Sequence, residues 1–116
     1  MRGRKVGPVL AEILEAIDGI EAHTAGKSLA DFKQDWLLRL ATQRALEIVS
    51  EACRHIPDEL LLLAPEVPWK QIRGIGNILR HEYHRIADDV IWAVVTENIA
   101  PLKTAIGAIQ ASVRDA

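Results

Sequence analysis

Cysteine and aromatic residues are scarce in this chain. Cys53 is the one cysteine, and one Phe, one Tyr and three Trp make up 4% of the residues. A lone cysteine forms no internal disulfide and gives a zinc site no Cys pair. With few strand-favouring aromatics, and apolar residues recurring at three and four instead of at two, a sheet is excluded as the main architecture. Basic charge is not in excess either, since 14 Lys and Arg stand against 16 Asp and Glu. A protein that grips nucleic acid broadly needs a basic face to neutralise phosphates, so DNA binding is not expected and any RNA contact must be local. The longest uncharged apolar runs, LLLAP and VIWAVV, are too short to span a bilayer. The N-terminus lacks the basic, apolar and small-residue succession of a signal peptide. The expectation is a cytoplasmic protein with no membrane contact and no cofactor.

Among the 116 residues, 49% are hydrophobic, enough for one domain over 1–116 with a frayed, basic end at 1–7. The pattern is all-α, a bundle of about five helices. A first helix opens at Pro8, with Val9, Ile13, Ala16 and Ile20 as its stripe, and a turn follows over Thr24–Lys27. Ser28 and Asp31 form a capping box for the longest helix, which continues to about Ile56 without an internal Gly or Pro. It carries two apolar stripes: Phe32, Trp36 and Leu40, and Leu38, Ala41, Ala45, Ile48 and Ala52. A helix apolar on two sides is central to a bundle or shared with a second subunit, and a homodimer is expected, with Trp36, Trp69, Leu40 and Leu79 as candidate buried positions. A short DELLLLA segment ends at Pro65–Pro68. Asp88 or Asp89 caps a helix over VIWAVVTENI, and Pro101 opens a last one.

The stretch PWKQIRGIGNILRHEYHRI, Pro68 to Ile86, organises the rest. At 100° per residue, Ile72, Ile75, Leu79 and Tyr83 share one side and Arg73, Asn77, Arg80, His81 and His84 the other. Gly74 and Gly76 each cost a helix about 1 kcal/mol relative to Ala, which implies that room is needed there. Side chains lean toward the helix N-terminus, so Arg80 is expected to project over Gly76. A histidine beside an arginine, with an amide one turn back and a tyrosine two places on, supplies a proton-transfer group, a cation for phosphate and two hydrogen-bonding groups, the inventory of a metal-independent ribonuclease. Solvated Arg and His on a helix face are the alternative. On the long helix Arg44, Glu47 and Glu51 share a polar side, either pairing within the helix or facing the histidine helix. His81 and His84 with Glu47 or Glu51 make a poor metal set, and His23 and His55 suit helix C-termini.

Taken together, ILEAIDGIE, ALEIVSEA, VPW, GIGN…RHEY and DDVIWAVVTENIAPLK resemble the HepT-like family of HEPN domains, in order, from about Leu10 to Ile109. The resemblance implies a dimeric helical bundle acting as a ribonuclease toxin. It also implies a MntA-like nucleotidyltransferase antitoxin that transfers AMP to the motif tyrosine. The family motif is Arg, four residues, His, one residue, Tyr. Asn77, His81 and Tyr83 match it and its usual Asn, whereas Gly76 holds the place of the arginine. Arg80 or Arg73 is then the substitute cation, and a Gly76→Arg change is expected to raise cleavage if the packed helix leaves room. Three readings stand: an endoribonuclease using His81, Arg80, Asn77 and Tyr83, supported by Arg73, Arg44, Glu47 and Glu51; a non-cleaving HEPN protein that binds a nucleotide or a nucleotidyltransferase; or a purely structural helical dimer.

Overall fold

The computed structural model describes residues 5–82 and 86–115, and every regular element among them is helical. Helix α1 spans Val6–Thr24. It buries Val9, Leu10, Ile13, Ile17 and Ile20, with Ala16 half-buried, so the expected stripe is present and wider by Leu10 and Ile17. Its last turn is tied by side chains: the His23 Nδ1 lies 2.8 Å from the Gly19 oxygen, and the Thr24 hydroxyl donates to the Ile20 carbonyl at 2.8 Å. Gly26, at φ +74°, reverses the chain in a left-handed conformation that glycine adopts without strain.

The Ser28–Asp31 capping box forms as expected: Asp31 N–H donates to Ser28 Oγ at 3.1 Å, and Ser28 N–H to Asp31 Oδ2 at 2.9 Å. The helix it starts does not run on to Ile56. Helix α2 covers only Leu29–Gln34, and Asp35, at φ −103° and ψ 93°, caps a new helix, α3, over Trp36–Cys53. Its Oδ1 accepts from Leu38 N–H at 2.9 Å. A short carboxylate side chain competes for nearby backbone N–H groups, so aspartate favours a cap over a helix interior. The break divides the expected Phe32–Trp36–Leu40 stripe. Phe32 is fully buried, with its ring centroid 5.1 Å from that of Trp92, whereas Trp36 is 65% and Leu40 40% exposed. The second stripe also shifts. Leu38 and Ala52 are buried, Ala41 is exposed, and Leu46, Val49 and Cys53 take the core positions.

Asp58–Leu61 form a single-turn α4. The Trp69 indole N–H donates to the Ala64 carbonyl at 2.9 Å, closing the turn ahead of α5, Trp69–Glu82. Helix α6, Asp88–Ala93, passes through a π-turn at Val94–Asn98 directly into α7, Ile99–Asp115. Pro101 therefore does not open a separate helix. It lies in the first turn of α7, has no N–H to give, and crowds the carbonyl four residues back, at Glu97. The wider π-turn falls at that place and keeps the rod continuous.

In the bundle, α1 packs on α3 and α7, α5 on α3, and α2 on α6. Lys103 of α7 reaches Asp18 and Glu21 of α1 at 2.9 and 3.1 Å, and these two carboxylates hold its ammonium pKa above the ordinary value. The principal extents are 45 × 29 × 23 Å, and the narrowest admits two layers of helices, each about 10–12 Å thick. The all-helical bundle expected from the sequence is what forms. Asp35 divides one expected rod in two, and the π-turn joins two expected helices into one.

Candidate active site

Helix α5 is weak by propensity, with two glycines in fourteen residues, and packing against α3 is what sets its position. Gly76 shows how. Its N–H lies 3.0 Å from the Ser50 hydroxyl, which itself donates to the Arg73 carbonyl at 3.0 Å. A Cβ built on Gly76 would stand 2.7 Å from Ser50 Oγ and 2.8 Å from its Cβ, closer than side chains approach. Gly76 is thus the point of closest contact between the helices, and the room expected there is filled by Ser50. At Gly74, by contrast, a Cβ would meet nothing within 4 Å, so no packing reason holds glycine at that position.

Arg73 is committed to the frame. Its Nε donates to the Cys53 carbonyl at 3.2 Å, one terminal nitrogen to the Ile56 carbonyl at 2.9 Å, and the other to Asp58 at 3.4 Å. A guanidinium at the end of α3 satisfies carbonyls that have no partner within the helix and complements the negative end of the helix dipole. Arg73 therefore fastens α5 to the C-terminus of α3 and does not join the other polar residues of its side.

Those residues are Asn77, Arg80 and His81, all exposed. An Arg80 terminal nitrogen lies 3.4 Å from Asn77 Oδ1, a long contact within one turn. The His81 side chain has no hydrogen bond or ion pair to another described residue. Arg80 does not cover Gly76 as expected, because Gly76 is turned into α3 while Arg80 turns to solvent. Tyr83 and His84, also expected here, lie outside the described residues.

The helices run antiparallel, since Arg73 meets Cys53 while Gly76 meets Ser50. With both right-handed, the Asn77–Arg80–His81 side of α5 and the Trp36–Leu40–Arg44–Glu47 side of α3 flank the same side of their seam. Arg44 and Glu47 pair within α3 at 3.1 Å, and Glu51 pairs with His55 at 3.4 Å. The intrahelical reading of these charges thus holds, on the side that adjoins the histidine helix. Toward the N-terminus of α3, between it and residues 86–88, is a cleft of about 380 Å³ walled by Trp36, Arg39, Leu40, Gln43 and Asp88. Arg39 pairs with Asp88 at 3.5 Å, and its buried Nε has no hydrogen-bond partner among the described residues.

Ser50 is the residue that reading the sequence missed. Small residues at 50 and 76, one on each of two successive long helical patterns, are the signal that would have pointed to a close crossing. Among the described residues no three His, Cys, Asp or Glu side chains gather closely enough to hold a metal ion.

Comparison with known proteins places this geometry in context. A family model described as "Ribonuclease HepT-like" matches residues 13–109. A Methanocaldococcus jannaschii protein, provisionally named as an RNase, is 35% identical over 103 residues, covering 89% of this chain and 94% of the relative. A Thermococcus cleftensis protein, provisionally named ribonuclease HepT, is 38% identical over 94 residues, covering 81% and 86%. One from Caldanaerobacter subterraneus, again provisionally named as an RNase, is 34% identical over 96 residues, covering 83% and 86%. No solved structure matches.

Proposed function

The chain belongs to the HepT-like ribonuclease family, and from that premise we propose that it is a metal-independent endoribonuclease whose working groups lie on the outer side of α5. The observation that carries this reading is the division of labour along that helix. Arg73 is consumed by the frame, while Asn77, Arg80 and His81 are presented together to solvent. An RNA 2′-hydroxyl attacks the adjacent phosphorus, the bond to the 5′-oxygen breaks, and a 2′,3′-cyclic phosphate forms. His81 moves the proton, and Arg80, steadied by Asn77, offsets charge on the phosphorane. Without a second arginine at position 76 the charge compensation is incomplete, so cleavage is weak. A missing contact of this kind costs about 3 kcal/mol, roughly a hundredfold in rate.

The family resemblance adds the biological setting: a toxin whose Tyr83 accepts AMP from a MntA-like nucleotidyltransferase, an adduct that would block the neighbouring cations. Mass spectrometry of the protein co-produced with such a partner tests this, and an unmodified Tyr83 removes it. A homodimer completes the reading. Trp36, Leu37 and Leu40 are 65%, 68% and 40% exposed on the side of α3 that adjoins the site. A second copy laid there would cover apolar surface that this two-layer bundle leaves bare and roof the cleft beside the N-terminal half of α3.

Gly76 favours a second reading, a protein that no longer cleaves and only binds a nucleotide or nucleotidyltransferase, because the family arginine's place is sealed against Ser50. One experiment separates the two: cleavage of total RNA by purified protein. The enzyme reading expects weak activity, abolished in His81→Ala and reduced about a hundredfold in Arg80→Ala. No activity in the wild type favours the second, and equal activity in His81→Ala removes His81 from the chemistry.

A further inference from the structure

On the other side of α5, away from Asn77 and His81, the helix does not close on its neighbour. Ile72 and Ile75 face the π-turn and the start of α7 across a cavity of about 100 Å³, whose remaining walls include Val94 and Leu102, with Gln71 and Asn98 also lining it. We propose that this cavity is a binding site for a small, largely apolar molecule, a single ring or short branched chain with one hydrogen-bonding group, and that its occupancy adjusts the seating of α5.

Three observations bear on the ligand. The volume is about two thirds of the roughly 150 Å³ of an engineered apolar cavity that accepts benzene. A resident water needs two to four polar partners, and only Gln71 and Asn98 could supply them, so the aliphatic remainder is left to apolar atoms. The Ser50 hydroxyl, which also lines the cavity, already accepts from Gly76 N–H and donates to the Arg73 carbonyl. That leaves the two carboxamides, Gln71 and Asn98, as the lining groups able to engage a polar substituent at the rim. Asn98 belongs to the π-turn, an irregularity that accompanies functional sites in helices.

The coupling follows from the same residues. Ile72 and Ile75 alternate along α5 with Arg73 and Asn77, and Ser50 joins the cavity wall to the Gly76 contact that fixes α5 on α3. A ligand pressing on Ile72 and Ile75 therefore acts on the joint that positions Asn77, Arg80 and His81. Binding itself does not depend on the ribonuclease reading; only its effect on cleavage does.

Phenol is a suitable probe. Titrated into the 15N-labelled full chain, it is expected to give saturable amide shifts at Ile72, Ile75, Val94 and Leu102, followed by shifts at Asn77 and Arg80. Contacts between the phenol ring and the Ile72 and Leu102 methyl groups should appear in nuclear Overhauser spectra. Val94→Phe and Ile75→Phe, which fill the space, should weaken binding at least tenfold while keeping a dispersed amide spectrum. If either variant is unfolded, the methyl contacts in the wild type decide alone. Shifts that grow linearly without saturating, ring contacts elsewhere on the protein, or undiminished affinity in a folded filled variant would overturn the site. Saturable binding with no shift at Asn77 or Arg80 would overturn the coupling. A cleavage assay with and without phenol is a separate arm, so loss of the ribonuclease reading leaves the binding result standing.

Discussion

At the scale of single residues, the contact between Gly76 and Ser50 decides what this site can become. Adding one methyl group in Gly76→Ala places a carbon 2.7 Å from Ser50 Oγ. Overpacking of this kind typically costs about 1–3 kcal/mol. Ser50→Ala gives no relief, because the Ser50 Cβ is equally close, whereas Ser50→Gly does. Chemical denaturation should therefore show Gly76→Ala destabilised in the wild-type background and tolerated in Ser50→Gly, a double-mutant cycle with clear coupling. The expectation that Gly76→Arg raises cleavage meets the same obstacle, since α3 leaves no room for it. Cys53 supplies a second residue-scale test. Burial pushes its thiol from an ordinary 9.0 up to about 12, against a smaller opposing effect of Arg73. The neutral thiol is thus favoured in the folded state, and the stability this contributes is complete below pH 9 and lost as pH rises from 9 toward 12. Native protein at pH 8 should resist iodoacetamide, and urea-unfolded protein should react fully.

At the scale of elements, the helices were legible wherever an apolar stripe met one partner and illegible where a polar residue overrode the period. The Ser28–Asp31 box, the stripe of α1 and the apolar and polar sides of α5 can all be read from residue spacing. Asp35 shows the limit. Periodicity runs through it, and only the backbone reveals that its carboxylate captures Leu38 N–H and restarts the helix. Asp35→Ala should cost about 1 kcal/mol, as loss of a helix cap does, measurable in thermal melting. The site was legible in its residue types and not in its commitments. Arg73 and Arg80 look alike in the sequence, and three carbonyl and carboxylate oxygens around Arg73 separate them. The spacing cannot disclose those oxygens, because they come from the end of α3, the linker after it and the first residue of α4.

At the scale of the whole molecule, a bundle 23 Å across its narrowest direction leaves one side of α3 uncovered. Sedimentation should report a dimer at micromolar concentration, and Leu37→Asp, at a position already exposed in the single chain, should shift it toward monomer without lowering the helix signal in circular dichroism. A monomeric wild type would remove the dimer and leave the fold intact. The π-turn has a different reach. It is a phase shifter: the extra residue it accommodates sets the rotational register of everything after it, so that Ile99, Leu102, Ile106 and Ile109 meet the core together. Deleting one residue within Val94–Asn98 would restore a regular helix and leave α7 facing as it does, whereas inserting one more would rotate α7 by about 100°. That turn would swing its buried stripe toward water and carry Lys103 away from Asp18 and Glu21. A one-residue insertion there should unfold the chain at 37 °C where a one-residue deletion, or a substitution at the exposed Thr96 or Glu97, is tolerated, because what those five residues encode is a length.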